Sequence, residues 1–169
     1  PNRVIVHDRL DHALARGRRD GSRAAAIFLD IDEFKQVNDT WGHAAGDELL
    51  RQVAARVQRA ARAADTVGRY GGDEFVVICE DLPSAAEALV VAERIRDEVA
   101  RPTQIDGTEV LVGTSIGVAL TARDDEGTGE LIGRADAAMY EAKARGRGRI
   151  VVDAAATLLA NATTRPIDL

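Results

Sequence analysis

The sequence holds a single cysteine, Cys79, so no disulfide can form within the chain, and a reducing compartment such as the cytosol is the natural expectation. Cys79 lies in an apolar run, where it reads as a small core side chain. No apolar run approaches the ~20 residues of a membrane span. The N-terminus also lacks the charged-then-apolar layout of a signal peptide. An excess of positive charge is missing too. The net charge is −6, which argues against nonspecific nucleic-acid binding, because a phosphate backbone needs a basic surface to release its counterions. Small phosphate ligands stay open, held by local cations and a divalent metal. There is no internal repeat. What remains is 169 residues, 46% hydrophobic and 30% charged, enough for one globular domain and cramped for two. Opening on Pro1 without an initiator methionine, the sequence reads as part of a longer protein.

Leu10, Ala13 and Leu14 recur at helical spacing between His7 and Arg18, and Asp20-Gly21 closes that helix. Ala24 to Ile31 is a short apolar run consistent with a buried strand, ending in Asp30-Ile31-Asp32. A short helix is expected over Glu33 to Asn38. A longer amphipathic helix follows from Ala44 to Ala61, with Leu49, Leu50, Val53, Val57 and Ala60 on one stripe. Val67 to Tyr70 and Phe75 to Ile78 flank Gly71-Gly72, a two-residue loop whose glycines tolerate the positive φ of tight hairpins. Ser84 with Glu87 has the form of a capping box, ahead of a helix whose Leu89, Ala92, Ile95 and Val99 face inward. Asp106-Gly107 reads as a second hairpin turn leading into Val110 to Ala119. Thr128 to Arg145 forms another helix, with Ile132, Ala135, Met139 and Ala142 on one face, and Gly148 to Val152 a closing strand. Hairpins interleaved with helices predict an α+β fold with a mainly antiparallel sheet flanked by helices.

Two acid clusters stand at element edges, Asp30 with Asp32 and Asp73 with Glu74. Brought together, they are what a divalent metal needs: magnesium takes oxygen ligands, commonly one or two carboxylates, and completes its shell with phosphate and water. Neighbouring strand residues point to opposite faces, so Asp73 and Glu74 are not expected on one ion, and Asp73 is the better candidate. Acid pairs by themselves are more often solvated turn and cap residues.

The stretch Arg69-Tyr70-Gly71-Gly72-Asp73-Glu74-Phe75 resembles the signature of the GGDEF domains, bacterial diguanylate cyclases. It does not stand alone. Asp30-Ile31-Asp32-Glu33-Phe34-Lys35-Gln36-Val37-Asn38-Asp39 is similar to the family's metal-and-phosphate segment, with Trp41-Gly42-His43-Ala44-Ala45-Gly46-Asp47 after it. Thr114-Ser115-Ile116-Gly117-Val118, Ala135-Asp136-Ala137-Ala138-Met139-Tyr140, Lys143 and Gly146-Arg147 match later blocks. The resemblance runs from Pro1 to Val152, which implies a GGDEF domain over residues 1–153 and a tail or linker over 154–169. Gly148 departs from it, standing where Asn or Asp is frequent.

This resemblance implies a nucleotidyl cyclase palm that condenses two GTP into cyclic di-GMP and two pyrophosphates. Asp30, Asp73 and the Ile31 carbonyl would hold Mg2+, or Mn2+ in its place, with Asp73, Glu74 and Lys35 in catalysis. Asn38, His43, Asp47, Lys143 and Arg147 would contact the substrate. Asn38 and Asp47 would read guanine, and a carboxylate suits that task because it accepts from both N1–H and the exocyclic amine, whereas adenine has no N1–H. Lys35, at the start of a helix whose free N–H groups favour phosphate, would stabilise the transition state. Arg62 and Asp65 resemble the Arg-x-x-Asp site through which such enzymes bind their own product; alone, they make an ordinary helix-end ion pair. The implied partners are GTP, cyclic di-GMP and a second copy in a catalytic homodimer, with no nucleic acid and no membrane contact by this domain, in the cytoplasm. The competing readings are a catalytically silent GGDEF domain that binds GTP or cyclic di-GMP, and a different metal-dependent nucleotidyl transferase such as a mononucleotide cyclase.

Overall fold

The computed structural model describes residues 2–121 and 127–155. Nine residues of near-continuous apolar sequence form β1 (Arg23–Ile31), and they are buried because helices cover both faces of the sheet they centre. Alternate side chains separate the two cores. Ala25, Ile27, Leu29 and Ile31 face α3 (His43–Ala60) and α4 (Ala85–Val99), while Ala24, Ala26 and Phe28 face α1 (Arg3–Asp20) and α5 (Thr128–Ala144).

The other strands are β2 (Thr66–Gly71), β3 (Glu74–Leu82), β4 (Thr103–Ile105), β5 (Thr108–Val110), β6 (Thr114–Leu120) and β7 (Ile150–Val152), and α2 (Phe34–Trp41) links β1 to α3. The five-stranded sheet runs β2-β3-β1-β6-β7; β1 is antiparallel to both β3 and β6, and β7 alone joins in parallel, beside β6. This is the α+β, mainly antiparallel arrangement expected, with β4 and β5 forming a separate two-stranded ribbon. The Asp106-Gly107 turn joins that ribbon with positive φ at both residues, 47° and 77°, as a type I′ hairpin requires. The run after it does not continue as one strand: β5 ends at Val110, and β6 begins at Thr114 in the main sheet.

Packing of α5 on β6 is close enough to demand a glycine. A Cβ on Gly117 would fall 2.0 Å from the Ala135 carbonyl oxygen and 2.2 Å from the Met139 nitrogen. Three local expectations are corrected. Ser84 is the N-cap of α4, but its side chain caps nothing and only its carbonyl accepts from the Glu87 N–H, at 3.3 Å, so no capping box forms. The inward face of α4 carries Ala88 and Val91 with Ala92, Ile95 and Val99, and Leu89 is only half-buried. The signature loop consists of Gly72 and Asp73, with Gly71 paired to Glu74 in the ladder, and neither Gly71 nor Gly72 takes a positive φ. A Cβ on Gly71 would stand 2.9 Å from Glu74 Oε2, the end of a side chain that can swing aside. Of the tail expected over 154–169, residues from 156 onward lie outside the described part.

Candidate active site

The register of β1 brings the two acid clusters together. Asp30 is paired with Glu74 across β3 and with Ser115 across β6, and the Ile31 N–H donates to the Asp73 carbonyl at 3.3 Å. In a strand the N–H and C=O of one residue point the same way, so the Ile31 carbonyl also faces the hairpin edge. Arg69 Nε donates to the Gly72 carbonyl at 2.9 Å and braces the loop that carries Asp73.

Asp30, Asp32 and Asp73 line a cavity of about 330 Å³ together with Lys35 and Gln36 of α2, Lys143 of α5 and Arg147 of the turn beyond it. The Lys143 ammonium donates to Asp30 Oδ2 at 2.8 Å. Burial pushes the Asp30 carboxyl above its ordinary value, and the charges of Asp73 and Asp32 add to this, against the pull of Lys143. Glu74 is raised likewise, by burial first and then by Asp30, Asp136 and Asp73. Four carboxylates, Asp30, Asp32, Glu33 and Asp73, line the cavity against three cations, Lys35, Lys143 and Arg147, an excess that an added cation relieves. Its donor set is all oxygen, which suits a hard ion. Among the described residues no three His, Cys, Asp or Glu side chains converge closely enough to enclose a metal. Two carboxylates and a carbonyl serve an ion that takes its remaining ligands from phosphate and water, so the residues fit magnesium.

Lys35, in the first turn of α2, is exposed toward this cavity. Its helix is entered through Glu33 in a left-handed conformation, φ 60°, a strained backbone for a residue with a side chain. Asn38, His43 and Asp47 do not line the cavity; they belong to the elbow where α2 meets α3. Asn38 lies against the N-terminal turn of α3, so closely that a Cβ on Gly46 would be 1.9 Å from its Oδ1, and Asp47 is the next residue along. His43 and Asp47 are exposed at the start of α3.

Arg62 and Asp65 sit at the other end of β2, roughly 17 Å from the hairpin at ~3.3 Å per residue. They hold one another: Arg62 Nη2 donates to Asp65 Oδ1 at 2.8 Å, the Arg62 N–H to Asp65 Oδ2 at 2.8 Å, and Arg62 Nη2 also to the Glu80 carbonyl at 2.8 Å. The Asp65 side chain is fully buried in this pair.

Two arrangements escaped the sequence. Asp32 accepts from the Ser115 hydroxyl at 2.6 Å and from the Gly148 N–H at 2.9 Å. Its place two residues after Asp30, just past the end of β1, was the available signal. His7 and the Tyr70 hydroxyl are hydrogen-bonded at 3.0 Å, with Phe28 edge-on to the Tyr70 ring and Arg3 over its face. Nothing in the spacing pairs residue 7 with residue 70.

The sequence profile of the family described as "Diguanylate cyclase, GGDEF domain" matches residues 1–149. The bifunctional diguanylate cyclase/cyclic di-GMP phosphodiesterase MucR of Pseudomonas aeruginosa is 46% identical over 147 residues, covering 87% of this chain and 21% of MucR. The response regulator PleD of Caulobacter vibrioides is 45% identical over 157 residues, 91% of this chain and 34% of PleD. The chain thus spans a fifth to a third of these relatives' lengths. Among solved structures, the GGDEF domain of TpbB, also called YfiN, from Pseudomonas aeruginosa superposes with a TM-score of 0.87 at 38% identity, covering 90% of this chain and 96% of that one. The GGDEF domain of DgcB from Caulobacter crescentus, in complex with c-di-GMP, gives 0.82 at 35% identity, covering 89% and 90%. With its fold, its hairpin and its ordered motifs matching over nearly the whole described length, the chain belongs to the GGDEF domain family of diguanylate cyclases.

Proposed function

We infer that this domain condenses two molecules of GTP into cyclic di-GMP with release of two pyrophosphates. The observation that carries the reading is that Asp30 and Asp73 line one cavity together with Lys35, Lys143 and Arg147, in a chain of this family. Acids beside cations in one cavity suit a metal-bound polyphosphate better than either a free metal or a free anion.

Lys35, at the open N-terminus of α2, Lys143 and Arg147 bind the triphosphate and take up charge as it develops on the leaving oxygens. Asp30, Asp73 and the Ile31 carbonyl would hold Mg2+, or Mn2+ in its place, and the ion bound there would supply Lewis-acid polarisation of the phosphate and a lower pKa for the attacking hydroxyl. Asp73 accepts the proton of the 3′-hydroxyl of one GTP as that oxygen bonds to the α-phosphorus of the other and the bond to pyrophosphate breaks. Glu74, opposite Asp30, keeps the local field negative, which would favour a bound cation. A second, equivalent attack closes the ring.

Asn38 and Asp47 read guanine at the α2–α3 elbow, Asp47 accepting from N1–H and the exocyclic amine, with His43 beside them. Each chain supplies one GTP half-site, so both attacks need a homodimer. A pool of GTP and a lone thiol both fit the cytoplasm. Product inhibition through Arg62 and Asp65 requires that cyclic di-GMP open the pair these residues make in its absence, and the c-di-GMP complex of the DgcB domain is the relative that supports the reading. A silent binding module is the runner-up, because Arg62 and Asp65 would serve product binding equally well without catalysis.

The test is to incubate the protein with GTP and Mg2+ and resolve the products chromatographically. Cyclic di-GMP is expected; cyclic GMP as the product, or nucleotide binding without turnover at any protein concentration, would sink the assignment.

A further inference from the structure

The turn that brings Arg147 to the cavity has an unfavourable backbone. Gly146, Arg147 and Gly148 take φ of 107°, 58° and 60° in succession, and Arg147 bears a Cβ in a region that costs ordinary residues about 1–2 kcal/mol. Such a conformation persists where the surroundings over-determine it. Two hydrogen bonds do so here. The Arg147 N–H donates to the Ala142 carbonyl at 3.1 Å, closing the end of α5, and the Gly148 N–H donates to Asp32 Oδ2 at 2.9 Å, tying the turn to the end of β1.

Asp32 is itself fixed from three sides. The Ser115 hydroxyl donates to its Oδ1 at 2.6 Å, and its own N–H donates to the Gly113 carbonyl at 3.0 Å. Gly113 leaves room for it, because a Cβ there would stand 2.9 Å from Asp32 Oδ2. The residue is 8% exposed, and Ser115 is wholly buried. Both carboxylate oxygens are thus engaged by β6 and by the turn, although Asp32 stands two residues from Asp30 and lines the same cavity.

We propose that Asp32 is a positioning residue, whose carboxylate, set by Ser115, anchors Gly148 and so fixes the left-handed turn that aims Arg147 at the substrate phosphates. This rests on the reading above that Arg147 contacts the triphosphate. Asp32 acts through Arg147 and is no metal ligand. An asparagine can reproduce both side-chain contacts, its carbonyl accepting from Gly148 and its amide donating to the Ser115 oxygen. Alanine can reproduce neither.

The test compares Asp32→Asn, Asp32→Ala, Ser115→Ala, Arg147→Ala and the double variant Asp32→Ala with Arg147→Ala. The readouts are amide hydrogen exchange at Gly148, binding of a non-hydrolysable GTP analogue, and KM against kcat for GTP. Expected are fast exchange at Gly148 in Asp32→Ala, partial loss of protection in Ser115→Ala, and near-parental protection in Asp32→Asn. Nucleotide affinity should fall about tenfold to a hundredfold in Asp32→Ala, mainly through KM, and the double variant should be no worse than Arg147→Ala. Asp32→Asn should keep its magnesium dependence. Should Asp32→Ala fail to fold, Ser115→Ala and Asp32→Asn decide the matter. Additive losses in the double variant, or a shifted magnesium requirement in Asp32→Asn, would overturn the proposal. A parent protein that binds no GTP analogue would overturn the functional reading instead, while the exchange at Gly148 would still judge the anchor.

Discussion

The ammonium of Lys143 lies 2.8 Å from Asp30 Oδ2, at the buried end of the central strand and beside the hairpin that carries Asp73. It compensates a carboxylate that burial and two neighbouring acids already push upward. Replacing Lys143 by alanine should therefore destabilise the metal-free protein by about 1–2 kcal/mol, at the low end for a broken buried pair because the lysine is partly exposed. Added Mg2+ should recover most of that loss. Thermal melts of parent and Lys143→Ala, with and without Mg2+, measure both effects.

Glu74 faces Asp30 directly across β3, and two like charges in that position oppose folding. Its pKa is raised in the folded protein, so the stability linked to its proton is present below the ordinary value of 4.5 and is lost as pH rises through the folded value. Glu74→Gln and the parent should then be equally stable near pH 4. By neutral pH the variant should be ahead by about 1 kcal/mol, or roughly 2–4 °C in melting midpoint for a chain of this size. Its cyclase activity should fall. Melting curves across that pH range, without metal, provide the check.

Gly46 exists to admit Asn38, since a Cβ there would lie 1.9 Å from Asn38 Oδ1. Gly46→Ala should displace the asparagine and leave the metal site untouched. Expected is a rise of about tenfold or more in KM for GTP with a smaller change in kcat, and weakened preference for GTP over ATP. Steady-state kinetics with both nucleotides would reveal it, and an unchanged KM would remove Asn38 from substrate recognition.

Arg62 is the partner of a buried Asp65, and removing it leaves that carboxylate without its main donor. Arg62→Ala should lower stability by about 1–3 kcal/mol. It should also abolish inhibition by added cyclic di-GMP while leaving the initial rate near that of the parent. Inhibition that survives intact would assign Arg62 and Asp65 to structure alone.

Much of this was legible in the sequence because local rules decided it. The apolar run of β1, the stripes of α3 and α5 and the Asp106-Gly107 turn each follow from period or turn chemistry. Two local rules did not hold. Gly71 sits in the ladder opposite Glu74 with no left-handed turn of its backbone, and Ser84 heads α4 without capping it. Of the candidate site, the acid clusters at Asp30 and Asp73 could be named from the sequence. The pairing of Lys143 with Asp30, and of Asp32 with Gly148, joins residues more than a hundred positions apart and depends on where α5 ends over the sheet. No periodicity encodes that.

The most direct test of the account is the conversion of GTP by the parent and by Asp73→Ala, followed through pyrophosphate and cyclic di-GMP together in the presence of Mg2+. Expected are two pyrophosphates for each cyclic di-GMP formed by the parent, a rate per chain that rises with protein concentration as the homodimer forms, and loss of both products in the variant. Equal turnover by the two proteins, or pyrophosphate released without cyclic di-GMP, would contradict it.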